Sequence, residues 1–391
     1  MSVTHLKRWA VIGLSSFGAG ATSAQEAEAD WQRWEWSVGG EASAVISAGS
    51  DPGEGLPEVE NMLAEVALQL DGYRVLANGA EIGVRGVMRA QRDHPARPGF
   101  SGRFGQMGPA EDGLFSGLSG NGEPLDTSAR LSLETAYVYF DGGYGELTLG
   151  RDAGVAARFR EAPAEVFFLA RADGPLLDAS GLSVAATSDK VSGQSAKVSY
   201  ASPRWLGLRA GVSLTPDADE HDGLDRTLNP VAAELDGAYE IAANVSRRIG
   251  REGRGPRISA GASFSQAGRT SSRASPFGDE VSTGSLSVLA EFDSVSVGAS
   301  WLASDDGFSS GDGYAAWSAA VRKDWDIWSG SAAIAISEQR GLDGRSARIG
   351  AGRAIGKRID LAVGWRYDEL ERTGFGAARS HGPVIEITLR N

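Results

Sequence analysis

The side chains that most often hold metals or act as nucleophiles are scarce in this chain. Its 391 residues include no cysteine and four histidines, His5, His94, His221 and His381. No His-x-x-x-His or paired-cysteine spacing occurs, so zinc-type sites and thiol chemistry lack ligands. One serine–histidine neighbour exists, Ser380–His381, but it opens an alternating segment in which adjacent side chains point to opposite faces. A hydroxyl nucleophile and its base must be within hydrogen-bond reach, which this placement denies them. The densest acidic run holds Asp217, Asp219, Glu220, Asp222 and Asp225. It offers carboxylate oxygens for a loop-level Ca²⁺ site at Asp217, Asp219 and Asp222, although its glycine misses the EF-hand register. A solvated loop accounts for the same residues. No glycine-rich loop joins a strand to a helix, the context a phosphate cradle requires. These residues point away from an enzyme and call for no cofactor.

The informative signal is instead a period of two. From residue 129 to 151 the chain reads as two alternating strands about a glycine turn. Leu131, Leu133, Thr135, Tyr137 and Tyr139 fall on one face, and Arg130, Ser132, Glu134, Ala136 and Val138 on the other. Asp141-Gly142-Gly143-Tyr144-Gly145 supplies the positive-φ positions of a hairpin, and Leu147 and Leu149 resume the apolar face. A turn-rich stretch follows until alternation returns near Gln194. Upstream, Ile82, Val84, Gly86, Met88 and Ala90 alternate with Glu81, Arg85, Arg89 and Gln91. That polar face carries more charge than the underside of a soluble sheet would hide. Strand counting along the chain gives about sixteen, with short connections alternating with long Gly/Asp/Ser ones. The apolar face is often only Ala, Val, Ile or Gly, while Trp301, Trp317, Trp325, Trp328, Trp365 and Tyr367 gather near strand ends. Aromatic girdles and an even strand number are features of a transmembrane barrel, wet inside and apolar outside. A secreted array of two-sheet sandwiches is the soluble alternative.

Composition and the first residues agree with export. Glycine and proline make up about one residue in six, which suits many short strands and turns. The net charge is -13 with no dense basic face, which argues against nucleic acid as a partner. Lys7 and Arg8 precede a short apolar run, and Thr22-Ser23-Ala24 forms a small-residue cleavage site before an acidic stretch. Residues 1–24 are therefore expected to be a secretory signal peptide, and 25–391 the barrel. No later stretch has eighteen continuous apolar residues, so any membrane span must be made of strands.

The run AYVYFDGGYGELTLGR, residues 136–151, closely resembles a hairpin of the Gram-negative general (diffusion) porins. The resemblance implies an all-β, 16-stranded antiparallel transmembrane β-barrel of the bacterial outer membrane, with short periplasmic turns and long extracellular loops. It further implies a homotrimer, in contact with the lipid bilayer and lipopolysaccharide, that passes small hydrophilic solutes and ions by passive diffusion. In that family the third long loop folds into the pore and sets an acidic rim against a basic wall. By position the loop here is about 152–193, which would place Glu161, Glu165, Asp173 and Asp178 on the rim. Arg85, Arg89 and Arg130 would form the pore wall, unless they pair instead with Glu65, Glu81 or Glu134. Arg158, Arg160 and Arg171 share the loop, so ion selectivity stays open. The family usually ends in an aromatic residue, whereas this chain ends Ile385, Ile387, Leu389, then Asn391, a departure that bears on assembly. The alternatives are a substrate-selective porin for sugars or anions, and a non-conducting structural or adhesive surface barrel. They divide on whether the 152–193 loop enters the lumen.

Overall fold

In the computed structural model, the described residues are 33–51, 58–94, 130–218, 235–250, 255–269, 279–305, 313–339, 341–374 and 376–391. Sixteen strands close into one antiparallel barrel. The first five are β1 (Glu35–Ser47), β2 (Met62–Val75), β3 (Glu81–Arg92), β4 (Arg130–Gly142) and β5 (Gly145–Arg151). A four-residue helix, α1 (Val155–Arg158), lies in the connection to β6 (Ala196–Ala201). Then come β7 (Leu208–Thr215), β8 (Leu235–Arg248), β9 (Arg257–Arg269), β10 (Glu280–Phe292) and β11 (Val295–Ser304). The last are β12 (Tyr314–Trp325), β13 (Trp328–Gln339), β14 (Leu342–Ile355), β15 (Ile359–Arg372) and β16 (Gly376–Arg390). Each strand pairs with its sequence neighbours, and β1 closes on β16 from Glu41↔Arg390 to Ser47↔Val384. Closure leaves no open edge, the condition for strands to exist in hydrocarbon.

Alternation sorts the two faces. Along one row of the wall, Ser287, Ser300 and Ser318 are cross-strand neighbours and all point inward. One residue away, Leu286, Trp301, Trp317 and Ile336 form the matching outward row. Trp317 is 56 % exposed and Ile349 61 %, in a barrel whose outer face is apolar nearly all round. Such a surface would aggregate in water and is at rest in a bilayer. Arg353 lies over the Trp328 ring, 5.0 Å from its centroid, at the short-turn end.

Two features depart from simple alternation. The β3–β4 pairing slips between Val87, opposite Thr135, and Met88, opposite Leu133, so that Glu134 is an extra residue. Because a slip of one exchanges the faces, Leu131 and Leu133 face outward while Thr135 is buried inward. Beyond the bulge the outward residues are Val138 and Phe140, and the Tyr139 hydroxyl donates to Glu81. The five residues from Leu131 to Tyr139 therefore do not share one face. The second feature is the brevity of two connections at the long-loop end: residues 340–341 separate β13 from β14 and residues 373–375 separate β15 from β16.

Candidate functional site

The 152–193 connection lies inside the barrel, and its path can be followed through its hydrogen bonds. It leaves β5 and immediately meets the adjoining wall at β7 and β8, two and three strands along the ring. The Val155 amide donates to Ser213 Oγ on β7 (3.0 Å), and the Ala156 amide to Glu240 Oε2 on β8 (3.2 Å). Four residues are too few to hold a helix by themselves. α1 is held instead by these wall acceptors and by Val155 and Phe159 packing on Ala201 and Ala242. The outgoing run continues with the Glu161 amide on Ser287 Oγ of β10 (2.9 Å) and the Val166 amide on Ser331 Oγ of β13 (3.0 Å). It ends at β16, where Glu386 accepts the amides of Phe168, Leu169 and Ala170 at 2.9, 3.0 and 3.0 Å.

The tip passes on to the first strands. Leu176 O accepts from Gln91 Nε2 on β3 (3.0 Å), and Ala179 O from the Glu60 amide (2.9 Å). Phe167, Leu169 and Leu177 pack there with Val45, Leu63 and Val384, an apolar cluster inside the lumen. The return run pairs Ser183 with Ser346 of β14 (2.8 Å) and donates the Ala186 amide to the Tyr314 hydroxyl of β12 (2.7 Å). Asp189 accepts from Ser265 Oγ of β9 (2.7 Å), and Ser192 Oγ donates to Glu240 (2.6 Å). Lys197 Nζ donates to the carbonyls of Asp152 and Gly193, both at 2.6 Å, and so ties the two ends of the loop together. Close approach depends on glycines in the wall. A Cβ at Gly350 would stand 2.6 Å from the Phe167 ring, closer than any side chain tolerates.

Base and tip of the loop come near each other beside β3–β5. A gap of about 140 Å³ remains there, lined on the wall by Arg89, Gln91, Ser132, Glu134 and Arg151. On the loop side it is lined by Ala153, Gly154, Ala157, Leu176, Lys190 and Gly193. Three cations and one carboxylate thus border it, and Arg89 is held by Glu134 (2.7 Å) and by Glu65 behind it.

The residues expected for an acidic rim are placed as follows. Asp173 is buried and accepts from Arg160, the Thr187 amide (2.8 Å), Thr187 Oγ1 (2.6 Å) and Ser318 Oγ (2.8 Å). Burial works to raise its pKa, but the Arg160 charge and the hydroxyls outweigh it and hold the carboxyl below its ordinary value. Asp178 is buried too, accepting from Ser180 and from the Ser183 amide (2.8 Å), and so shapes the turn. Glu161 is half-buried against β10, and burial pushes its carboxyl up. Glu165 accepts the Ala172 amide (3.0 Å) within the loop, and burial pushes it to about 7. On the wall, Arg85 pairs with Asp71 at 2.5 Å. The electrostatic neighbours of Arg85 and Arg89 are Asp71, Tyr137, Glu134 and Glu65, none of them in the loop. The four loop carboxylates are not among these neighbours. Arg130 opens β4, and its side chain is outside the described residues. Asp217 is exposed, and Asp219 and Asp222 are outside the described residues, among which no metal-ligating cluster of three occurs.

Glu240 and Glu386 anchor the loop and were not singled out from the sequence. Each is a lone carboxylate in an aliphatic alternation, Ala-Tyr-Glu-Ile-Ala and Val-Ile-Glu-Ile-Thr, and that isolation was the available signal.

Comparison with known proteins places this geometry. A family model described as Gram-negative porin matches residues 9–373. Among solved structures, an anion-selective porin from Comamonas acidovorans aligns with a TM-score of 0.54 at 12 % identity, covering 92 % of this chain and 100 % of that one. A Salmonella typhi OmpF complex with daunomycin aligns with a TM-score of 0.55 at 11 % identity, covering 91 % and 97 %. No curated protein matches the sequence significantly.

Proposed function

Because the chain belongs to the Gram-negative porin family, we propose that solutes cross it through the gap between the inward loop and the β3–β5 wall. The family and the closed 16-strand barrel make it an outer-membrane channel for passive diffusion. One observation supports the gap as the narrow point. The loop is hydrogen-bonded along β7 to β14 and to β16, while on the β3–β5 side it touches the wall at Glu146 and Gln91 and leaves the gap between base and tip.

The gap sets the preference among solutes. Arg89, Arg151 and Lys190 outnumber Glu134, and a low-dielectric rim focuses that excess, so small anions are favoured modestly over cations. An anion-preferring pore fits these residues better than a sugar slide, which needs aromatic faces along the path. An adhesive barrel has no use for a loop so widely bonded across its lumen. No catalytic step and no cofactor belong to this reading. The same proposal includes export by residues 1–24, which lie outside the described residues, and a homotrimer among the lipids and lipopolysaccharide of the outer membrane.

The test is conductance of the detergent-purified, folded protein in a planar bilayer under a salt gradient. Discrete steps with a reversal potential on the anion side are expected. Folded, heat-modifiable protein that gives no steps would overturn the channel reading, and a cation-side potential would overturn the assigned gap.

A further inference from the structure

Beneath the loop, on the short-turn side, the lumen wall holds a recess of about 540 Å³ that the diffusion path along β3–β5 does not use. It is bordered by the β12–β13 turn, the start of β15 and the end of β16, which places it at the periplasmic mouth. Two kinds of group meet there. The first is Phe168, 47 % exposed and the one large apolar side chain of the described loop that is exposed. Its ring cannot retreat easily, because its own amide and the next two are fixed on Glu386. The second is a set of part-exposed ion pairs made by two arginines. Arg322 joins Asp324 at 2.9 Å, and Arg390 joins Asp360 and, at 2.9 Å, Glu41. An aromatic ring so exposed to lumen water, beside guanidinium and carboxylate groups together, is unlike the serine lining of the β9–β11 wall.

We propose that this recess binds amphipathic zwitterions, solutes that carry a planar apolar group together with an ammonium and a carboxylate. The ring stacks on Phe168, the ammonium meets Asp324 or Asp360, and the carboxylate meets Arg322 or Arg390. A solute bearing one charge alone engages only one side of each ion pair, and a solute without a ring leaves Phe168 wet. The recess is of a size that takes small ligands. Binding here goes beyond diffusion through the gap, and it rests on the channel reading only in that the solute reaches the recess through lumen water.

Equilibrium dialysis of radiolabelled L-tryptophan against the folded full-length protein tests it without requiring conduction, with glycine and indole as the probes lacking ring or charges. Saturable tryptophan binding, well above that of glycine or indole, is expected. Phe168→Ser should weaken it by about tenfold and Phe168→Trp should retain it. Both variants are checked for heat-modifiability on a gel. In a bilayer, tryptophan added on the short-turn side should lower the current of the parent protein and not of F168S. Tryptophan bound no better than glycine, or bound equally by F168S, overturns the proposal while leaving the channel intact. Tryptophan binding by a folded barrel that does not conduct supports the recess and overturns the channel reading.

Discussion

The two sides of the lumen are built differently. From β7 to β14 the inward face is mostly serine, glycine and alanine, and the loop lies against it along two runs. From β3 to β5 the inward face carries Arg85, Arg89, Glu134, Glu146 and Arg151, and the loop's Arg158 reaches in among them to Glu146 at 2.5 Å. Loop backbone arrives with amides that need acceptors, and a short hydroxyl can stand under an amide at 3 Å without filling the space. Long charged side chains instead satisfy one another and keep their water. A wall of small residues is a dock, and a wall of charge pairs is a shore.

That contrast can be broken at its strongest anchor. Glu386→Ala strands three amides, each worth roughly 1–3 kcal/mol when left unsatisfied in a buried place. We expect a folded barrel whose loop is released near 168–170, with larger and noisier conductance steps and new protease cleavage in the loop. An unchanged trace would mean that the tip holds without it. A smaller disturbance comes from the dock itself. Gly350→Val drives a side chain into Phe167, and overpacking of this kind costs about 1–3 kcal/mol. Its conductance should shift in the same direction as E386A, by less.

The opposite wall is probed by charge. Arg151→Gln combined with Lys190→Gln removes two of the three cations bordering the gap and should move the reversal potential toward cations. The same double change made at Arg345 and Arg379, which pair with Glu369 on the outer face, should leave the potential where it was.

The smallest effect is that of pH. Burial raises the carboxyls of Glu165 and Asp189 to about 7 in the docked loop. Between their ordinary values and about 7 the docked state binds more protons than a released one, so docking is strongest below that window and weakens as pH rises through about 7. Amide exchange near 165–172 should accordingly be slower at pH 5 than at pH 8, after correction for intrinsic rates, and Glu165→Gln should flatten the difference.

The barrel was legible because each strand repeats the same two-residue rule many times, so a few misread residues do not change the sum. The bulge at Glu134 was not, since Leu133, Glu134 and Thr135 look regular until the partner strand is known. The loop's course was illegible for a different reason. Many of its partners are serine hydroxyls with no local signature, a hundred or more residues away in several cases. Position alone put Asp173 and Asp178 on a water-facing rim, whereas Thr187, Ser318, Ser180 and Ser183 bury them. A hint was present in Val45, Leu63 and Val384, aliphatic residues on the otherwise polar face, which mark where the loop's Phe167, Leu169 and Leu177 cover the wall.

The Glu386 anchor also sets an order of events. The amides it receives lie 216 to 218 residues earlier in the chain, and it stands on the last strand to be made. Contacts of such separation form late, after much shorter closures have been completed. The loop can reach its seat only once β16 has joined β1, so its docking marks a completed ring. Until then the apolar side chains of 166–177 have no wall to cover, and a barrel stalled before closure would carry them unshielded to whatever chaperone or protease patrols its path.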